Sequence, residues 1–393
     1  MTRLHATTLL ALALTSGCGS DDGPTAAADS GAEAADPEVD ETNLTVTLDV
    51  PDGAYQVVSE PYEVPPHTEV SLCGIVRLDP GDGNDLAWVN AMESMSSEGT
   101  HHMNVIIGQF SFLDAFVGEG ASETALGMPL GTFPCDDVME AGFPVFPSQR
   151  TNQRITFPAG VAAPLPLPLV AVFNHHYVNA TDKPLTINAA LNLETIPADE
   201  VEHVAELRFD DIRDLEVPPA TRQTVTRTCL MDEETNVALV STHTHEWATC
   251  ATMNRFDGEQ VEDEPFFVNT NWDQPPILHF EPGSFTVPAG EGIHWACHYE
   301  NATDQTLVND GTAAGEMCVF AAVTWPADFS VATVQQIVAD RDLAQLVELL
   351  SQVMGPCDSV RSDIEGPWPA TNEGLGGEQT CAGLEQTESN TLD

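Results

Sequence analysis

The sequence predicts an all-β chain of two tandem antiparallel β-sandwich domains, jelly-roll-like, followed by two short helices. Three observations predict it. Leu44-Thr-Val-Thr-Leu-Asp-Val50 alternates apolar and polar residues, the period of a half-buried strand, and the same period returns in Leu185–Ala189, Ala190–Leu193 and Asn236–Val240. Clusters of Gly, Pro, Asn and Asp separate these runs, as turns separate short strands. Finally, His176-Tyr-Val-Asn-Ala-Thr-Asp-Lys-Pro-Leu185 echoes His298-Tyr-Glu-Asn-Ala-Thr-Asp-Gln-Thr-Leu307 at seven of ten positions, which points to two related units.

In chain order, residues 1–18 read as a signal peptide: Arg3 precedes an apolar run, Ala6 to Leu14, too short to span a bilayer. Thr15-Ser-Gly-Cys18 resembles the bacterial lipobox, with Leu14 one place further from the cysteine than in the usual pattern; lipidation at Cys18 is expected, against a plain secretory signal. Residues 19–43 are Ala, Asp, Glu, Gly and Pro with almost no large apolar side chain, so they form a disordered acidic tether. The two domains are expected at 44–198 and 204–330. Val334, Ile337, Val338 and then Leu343, Leu346, Val347, Leu350 keep helical spacing, giving two amphipathic helices within 331–354. Residues 355–393 form a polar, glycine-rich tail, expected to be pinched by a Cys357–Cys381 bridge.

Twelve basic residues stand against 62 acidic ones, a net charge of −50. Such a surface repels phosphate backbones and excludes nucleic acid as a partner; its carboxylates are spread along the chain and serve solvation. Cys18 aside, Cys73, Cys135, Cys229, Cys250, Cys297, Cys318, Cys357 and Cys381 are an even set, which in an exported chain predicts four disulfides. None are spaced C-x-x-C, which argues against a zinc ribbon, a thioredoxin-like centre or c-type haem.

The histidines are clustered: His101-His102-Met103, His175-His176-Tyr177, His243-Thr244-His245, and His294 with His298. His243 and His245 lie two apart, so on a strand they share a face and can meet one ion. Adjacent His101 and His102 would face opposite sides of a regular strand; joint ligation requires a bulge, a twist or a strand end.

The succession His-His-Met, Val-Phe-Asn-His-His-Tyr, His-Thr-His and Gly315-Glu-Met-Cys318, in that order, resembles the copper type II, ascorbate-dependent monooxygenases, the family of peptidylglycine hydroxylating monooxygenase and dopamine β-monooxygenase. The resemblance spans about residues 45 to 330. It implies two coppers per chain: one on His101, His102 and His176, acting in electron transfer, and one on His243, His245 and Met317, where oxygen is activated. His176 is preferred to His175 because the family's ligand immediately precedes the tyrosine. The ligand types suit copper, since imidazole serves both oxidation states and a thioether favours Cu(I). It also implies Cys73–Cys135 and Cys297–Cys318 bridges; Cys229–Cys250, which would bracket the His243 strand, is a local inference. The chain departs from the family where a substrate carboxylate is held: Ser241 and Ala321 stand where the peptide-hydroxylating member has arginine and tyrosine.

The expected function is therefore hydroxylation of a C–H bond of a small molecule with O2 and an external reductant such as ascorbate. The alternative is a non-catalytic lipoprotein that stores or relays copper on the same scaffold. Either would be exported and face the periplasm or cell exterior, reaching the membrane through its lipid alone. If Cys297 and Cys318 lay opposite on antiparallel strands, His298 would also oppose Met317 and support or replace a ligand there; otherwise it is a hydrogen-bonded strand histidine left by duplication.

Overall fold

The computed structural model describes residues 41–78, 85–108, 142–167, 169–310, 315–341, 343–355, 357, 359–368, 371–372 and 381–390. Cys18, Cys135 and the whole 1–18 leader lie outside these residues, as does most of the 19–43 tether.

The described residues are all-β apart from two helices. Up to residue 204 it forms β1 (Tyr55–Val58), β2 (Tyr62–Val64), β3 (Thr68–Leu78), β4 (Leu86–Ser96), β5 (Thr100–Gly108), β6 (Gly142–Ser148), β7 (Asn152–Thr156), β8 (Val161–Pro166), β9 (Leu169–Asn179), β10 (Leu185–Ile187), β11 (Ala189–Thr195) and β12 (His203–Val204). Then follow β13 (Glu206–Asp211), β14 (Glu216–Val217), β15 (Thr221–Leu230), β16 (Thr235–Thr244), β17 (Ala248–Phe256), β18 (Phe267–Asn269), β19 (Leu278–His279), β20 (Thr286–Val287), β21 (Gly292–Asn301), β22 (Leu307–Val308) and β23 (Cys318–Trp325). Helices α1 (Val331–Asp340) and α2 (Leu343–Val353) precede β24 (Ser359–Arg361) and β25 (Thr371–Asn372).

The two halves repeat one pairing scheme. In the first, β9 lies between β3 and β5, β11 pairs β4, and β10 pairs β2; in the second, β21 lies between β15 and β17, β23 pairs β16, and β22 pairs β14. The echoed segment is the same turn twice. Asn179 Nδ2 donates to the carbonyls of Val64, Pro65 and Lys183, and Asn301 Nδ2 to those of Val217, Pro218 and Gln305. Each Asn oxygen accepts from the backbone and hydroxyl of the threonine two residues on. One short polar side chain thus satisfies carbonyls that a strand leaving its sheet would strand without partners.

In the first half, Trp88, Met92, Ile155 and Leu191 from one sheet share a buried cluster with Met103, Val105, Phe146 and Phe173 from the other. Val237, Val240 and Phe320 meet Met253, Ile293 and Trp295 in the second. The opposite face of β16 and β23, with Leu239, Val323 and Trp325, joins the first-half cluster together with Val334 and Ile337 of α1 and Leu349 and Val353 of α2. Ser330 caps α1 by accepting from Thr333 N, and Arg341 ends it in the left-handed region at φ 52°. The buried stripe of α2 runs Leu346, Leu349, Leu350 and Val353, which includes the predicted Leu346 and Leu350 and replaces Val347 by Leu349.

Three expectations are corrected: the strand at 44–50 and the Cys357–Cys381 and Cys229–Cys250 bridges. Residues 44–50 alternate in exposure but form no strand: beyond one backbone bond, Leu44 N to Thr186 O, side chains hold them, with Asn188 bonded to both Val46 N and Val46 O, Gln56 Nε2 donating to Leu48 O, and Asn192 Nδ2 to Asp49 O. The tail is not pinched by its own bridge. Among the described residues the pairs are Cys229–Cys357, Cys250–Cys381 and Cys297–Cys318. Cys229 sits on β15 and Cys250 on β17, with β21 between them; two interstrand spacings, roughly 10 Å, exceed what a disulfide can bridge. The tail therefore lies back on β15, where β24 and β25 pair. It passes so near β21 that a Cβ on Gly366 would come within 2.6 Å of His294 Nε2. Cys73 is disulfide-bonded as expected.

Candidate metal centre

The first histidine set is made by a bulge. Along β5 and β9, Thr100 faces Tyr177 and His102 faces His176, so the register shifts between them and His101 is the extra residue. That irregularity lets two adjacent imidazoles turn to one side. Ring centroids are 5.2 Å apart for His101 and His102, 5.0 Å for His101 and His176, and 4.8 Å for His102 and His176. One ligand nitrogen from each lies within 4.8 Å of the others. His175 turns the other way, with Nδ1 on Tyr62 Oη at 2.9 Å and Nε2 on Thr100 Oγ1 at 2.8 Å, so both its nitrogens are engaged.

Hydrogen bonds fix the tautomers. His176 Nε2 lies 2.7 Å from Glu69 Oε1; the carboxylate accepts, so Nε2 carries the proton and Nδ1 the lone pair. That lone pair faces His101 Nδ1 at 3.2 Å. His101 Nε2 and His102 Nδ1 are buried without partners. Buried polar atoms without partners are costly, and a cation held among these rings would satisfy one or more of them. The donor set therefore fits a transition-metal ion.

The second set sits on β16. Leu239, Ser241, His243 and His245 share the face that Leu239 packs against the first half. The rings of His243 and His245 are 5.1 Å apart. His245 Nδ1 donates to Gly315 O at 3.0 Å. His243 Nδ1 donates to Gln149 Oε1 at 2.9 Å, while Gln149 Nε2 donates to Trp272 O at 3.2 Å, which fixes the amide's orientation. Both histidines thus keep Nε2 free as a ligand atom. His243 faces Val319 and Thr244 faces Cys318, the last pair of the ladder. Just beyond it Glu316, fully buried, accepts from the backbone N–H groups of His245, Trp247 and Met317, and Tyr299 Oη donates to Met317 O. Burial pushes the Glu316 carboxyl up to about 7 against those three bonds, which pull it down.

The two sets face one another. Burial, reinforced by neighbouring imidazoles from both sets, lowers His101, takes His102 well below the usual histidine range and His243 to about 3. His245 is lowered chiefly by burial, with His176 adding to it. All four are neutral at pH 7, the form that ligates a metal. The Trp272 ring lies 5.7 Å from His101, so Trp272 and Gln149 bind the seam between the halves.

Ser241 and Ala321 are direct register partners, and the Ser241 hydroxyl donates to Pro276 O. No charged side chain occupies that pair of positions. His298 is not opposite Met317: β21 and β23 belong to different sheets, which Cys297–Cys318 joins through the core, and it is Tyr299 that reaches Met317. Sequence reading missed Glu69, Gln149, Trp272 and Glu316. Only Glu316, adjoining Met317 in the quoted motif, carried a signal.

No protein-family model and no curated protein matches the chain. Solved structures it is similar to include a chain from the atomic structure of Sulfolobus Turreted Icosahedral Virus, at 8% identity and a TM-score of 0.28, covering 77% of this chain and 97% of that one. A likeness that low carries no argument about function.

Proposed function

We propose that the chain is a copper-dependent monooxygenase that hydroxylates a C–H bond of a small molecule, using O2 and an external reductant such as ascorbate. The observation that carries it is the His101, His102 and His176 triad, three imidazoles converging at a bulge with unpartnered buried nitrogens and an orienting carboxylate. Facing it, His243, His245 and Met317 offer two imidazoles and a thioether, a set that suits copper and gives zinc little. Bound copper would supply one-electron redox chemistry toward dioxygen and substrate. The protein's own part is orientation: Glu69 keeps the proton on His176 Nε2, Gln149 and Gly315 keep protons on Nδ1 of His243 and His245, and Glu316 braces the backbone that presents His245 and Met317. The Ser241 and Ala321 pair, lacking a cation, speaks against a substrate held by its carboxylate.

In this reading the four main sheets are two jelly-roll-like sandwiches, residues 44–198 and 204–330, supported by the cluster each pair of sheets shares. The disulfides put the chain in an oxidising, exported environment. Among the described residues no helix is long and apolar enough to cross a membrane; we assign anchoring to lipid on Cys18.

Met317→Ile keeps the apolar bulk and removes the sulfur. A monooxygenase carrying it loads nearly two Cu(II) per chain and loses reductant-dependent product formation, read by oxygen consumption over a panel of amines, phenols and amides. A copper carrier instead shows no wild-type turnover and weaker Cu(I) retention. Wild-type hydroxylation by Met317→Ile removes Met317 from the ligand set.

A further inference from the structure

The internal repeat puts a second cluster at the place in the second half that the triad holds in the first. In β17 the register shift falls between Ala248, facing Tyr299, and Cys250, facing His298, as in β5 it falls between Thr100, facing Tyr177, and His102, facing His176. Thr249, Cys250 and His298 are therefore the counterparts of His101, His102 and His176. Thr224 faces His298 as Ser71 faces His176. The bulged Thr249 donates its hydroxyl to His298 O at 2.9 Å and lies 3.8 Å from Cys381 Sγ, which the tail brings in. One ligand atom each from Cys250, His298 and Cys381 lie within 4.8 Å of one another, as do those of the histidine triad. Here the two sulfurs are bonded to each other.

We propose that opening the Cys250–Cys381 disulfide turns this cluster into a binding site for a thiophilic cation, with two thiolates and the His298 imidazole as ligands. The donor set selects soft or borderline ions such as Cu(I), Zn(II) and Cd(II). A small dithiol supplies the two electrons: the S–S bond breaks, both cysteines take up protons, and the dithiol leaves as its cyclic disulfide. The incoming cation displaces the two thiol protons to solvent. His298 is poised for this. Its Nδ1 sits firmly on Thr224 Oγ1 at 2.9 Å, whereas the Nε2 contact with Thr252 Oγ1, at 3.4 Å, is long and readily exchanged for a metal bond. Among the bridges whose two cysteines are both described, accessibility singles out this one. Cys381 is partly exposed, while Cys297 and Cys318 are fully buried and Cys229 and Cys357 nearly so.

The test uses the full chain, treated with a dithiol that is then removed under anaerobic conditions, and titrated with Cd(II). Thiolate-to-cadmium charge-transfer absorption is the readout, to which imidazole and thioether sites contribute nothing, so the outcome is independent of the copper reading. One equivalent should bind after reduction and none before. His298→Gln should weaken binding about tenfold or more, and Cys381→Ser should abolish the two-thiolate band. Unchanged Cd(II) affinity in His298→Gln overturns the proposal. So does alkylation mapping of the wild type in which Cys250 and Cys381 stay bonded while another bridge opens, a measurement that needs no variant to fold.

Discussion

The two halves make opposite use of one duplicated plan. The first places its histidines on the β5–β9 sheet and covers the position matching the other site with residues 44–49: Ser97 and Asn188, the counterparts of His245 and Met317 in the strand register, bond to Leu44 O and Val46 N. The second half places its histidines at the end of β16 and covers the position matching the triad with the tail, through Cys250–Cys381. The repeated scaffold presents two histidine clusters in different places because each half has spent a different one of its two equivalent positions on binding a neighbouring segment.

Separate metal loading is the largest effect this comparison predicts. His102→Ala and His243→Ala should each remove about one of two coppers, measured by metal analysis after dialysis. Loss of both ions in either variant would mean that the facing sets form a single centre, and zinc retained in preference to copper would count against the copper assignment.

The repeated turn supplies the next effect. Asn179→Ala and Asn301→Ala each strand three carbonyls that one amide now serves. Each should cost about 2–3 kcal/mol in denaturant unfolding, since uncovered polar groups carry most of the penalty. Costs differing more than about twofold would show that the turns are alike in geometry and unlike in energetic weight.

A smaller effect is the acid dependence of stability. Burial takes His175 from 6.5 to about 3 and His294 from 6.5 to about 4, one in each half. A histidine depressed on folding leaves stability intact above 6.5 and withdraws it as pH falls from there toward the folded value. Each should therefore contribute a slope of up to ~1.4 kcal/mol per pH unit in metal-free protein. His175→Gln should remove one such slope; a pH profile unchanged from the wild type would show that His175 does not carry it.

The smallest effect tests the seam. Gln149→Leu leaves His243 without its acceptor and Trp272 O without its donor. Copper affinity of the second set should fall about tenfold while that of the first holds.

Local chemistry was legible in the sequence and long-range closure was not. Alternation identified β10, β11 and β16, and of the bulge, twist or strand end that joint ligation by adjacent histidines required, a bulge is found at His101. The choice of His176 over His175 agrees with the side each faces, His175 being tied to Tyr62 and Thr100. The same alternation misread residues 44–50, because period describes which side chains are covered and says nothing of what pairs the backbone. Cys229 and Cys250 lie near in sequence, and only the insertion of β21 between their strands separates them. Glu69 and Gln149 reach their histidines from elements distant in the chain, and no local pattern marks them.

The bridges also set a timetable. Cys297 and Cys318 are 21 residues apart and can join soon after both have emerged, whereas Cys229 and Cys250 wait for partners 128 and 131 residues further on. During synthesis and export the sheet of β15, β21 and β17 stays uncovered until the segment from residue 359 arrives, and Cys250 stays unpaired until residue 381. A chain halted before that segment would display unpaired thiols and an uncovered sheet edge, the features by which a quality-control protease or thiol oxidoreductase recognises unfinished work.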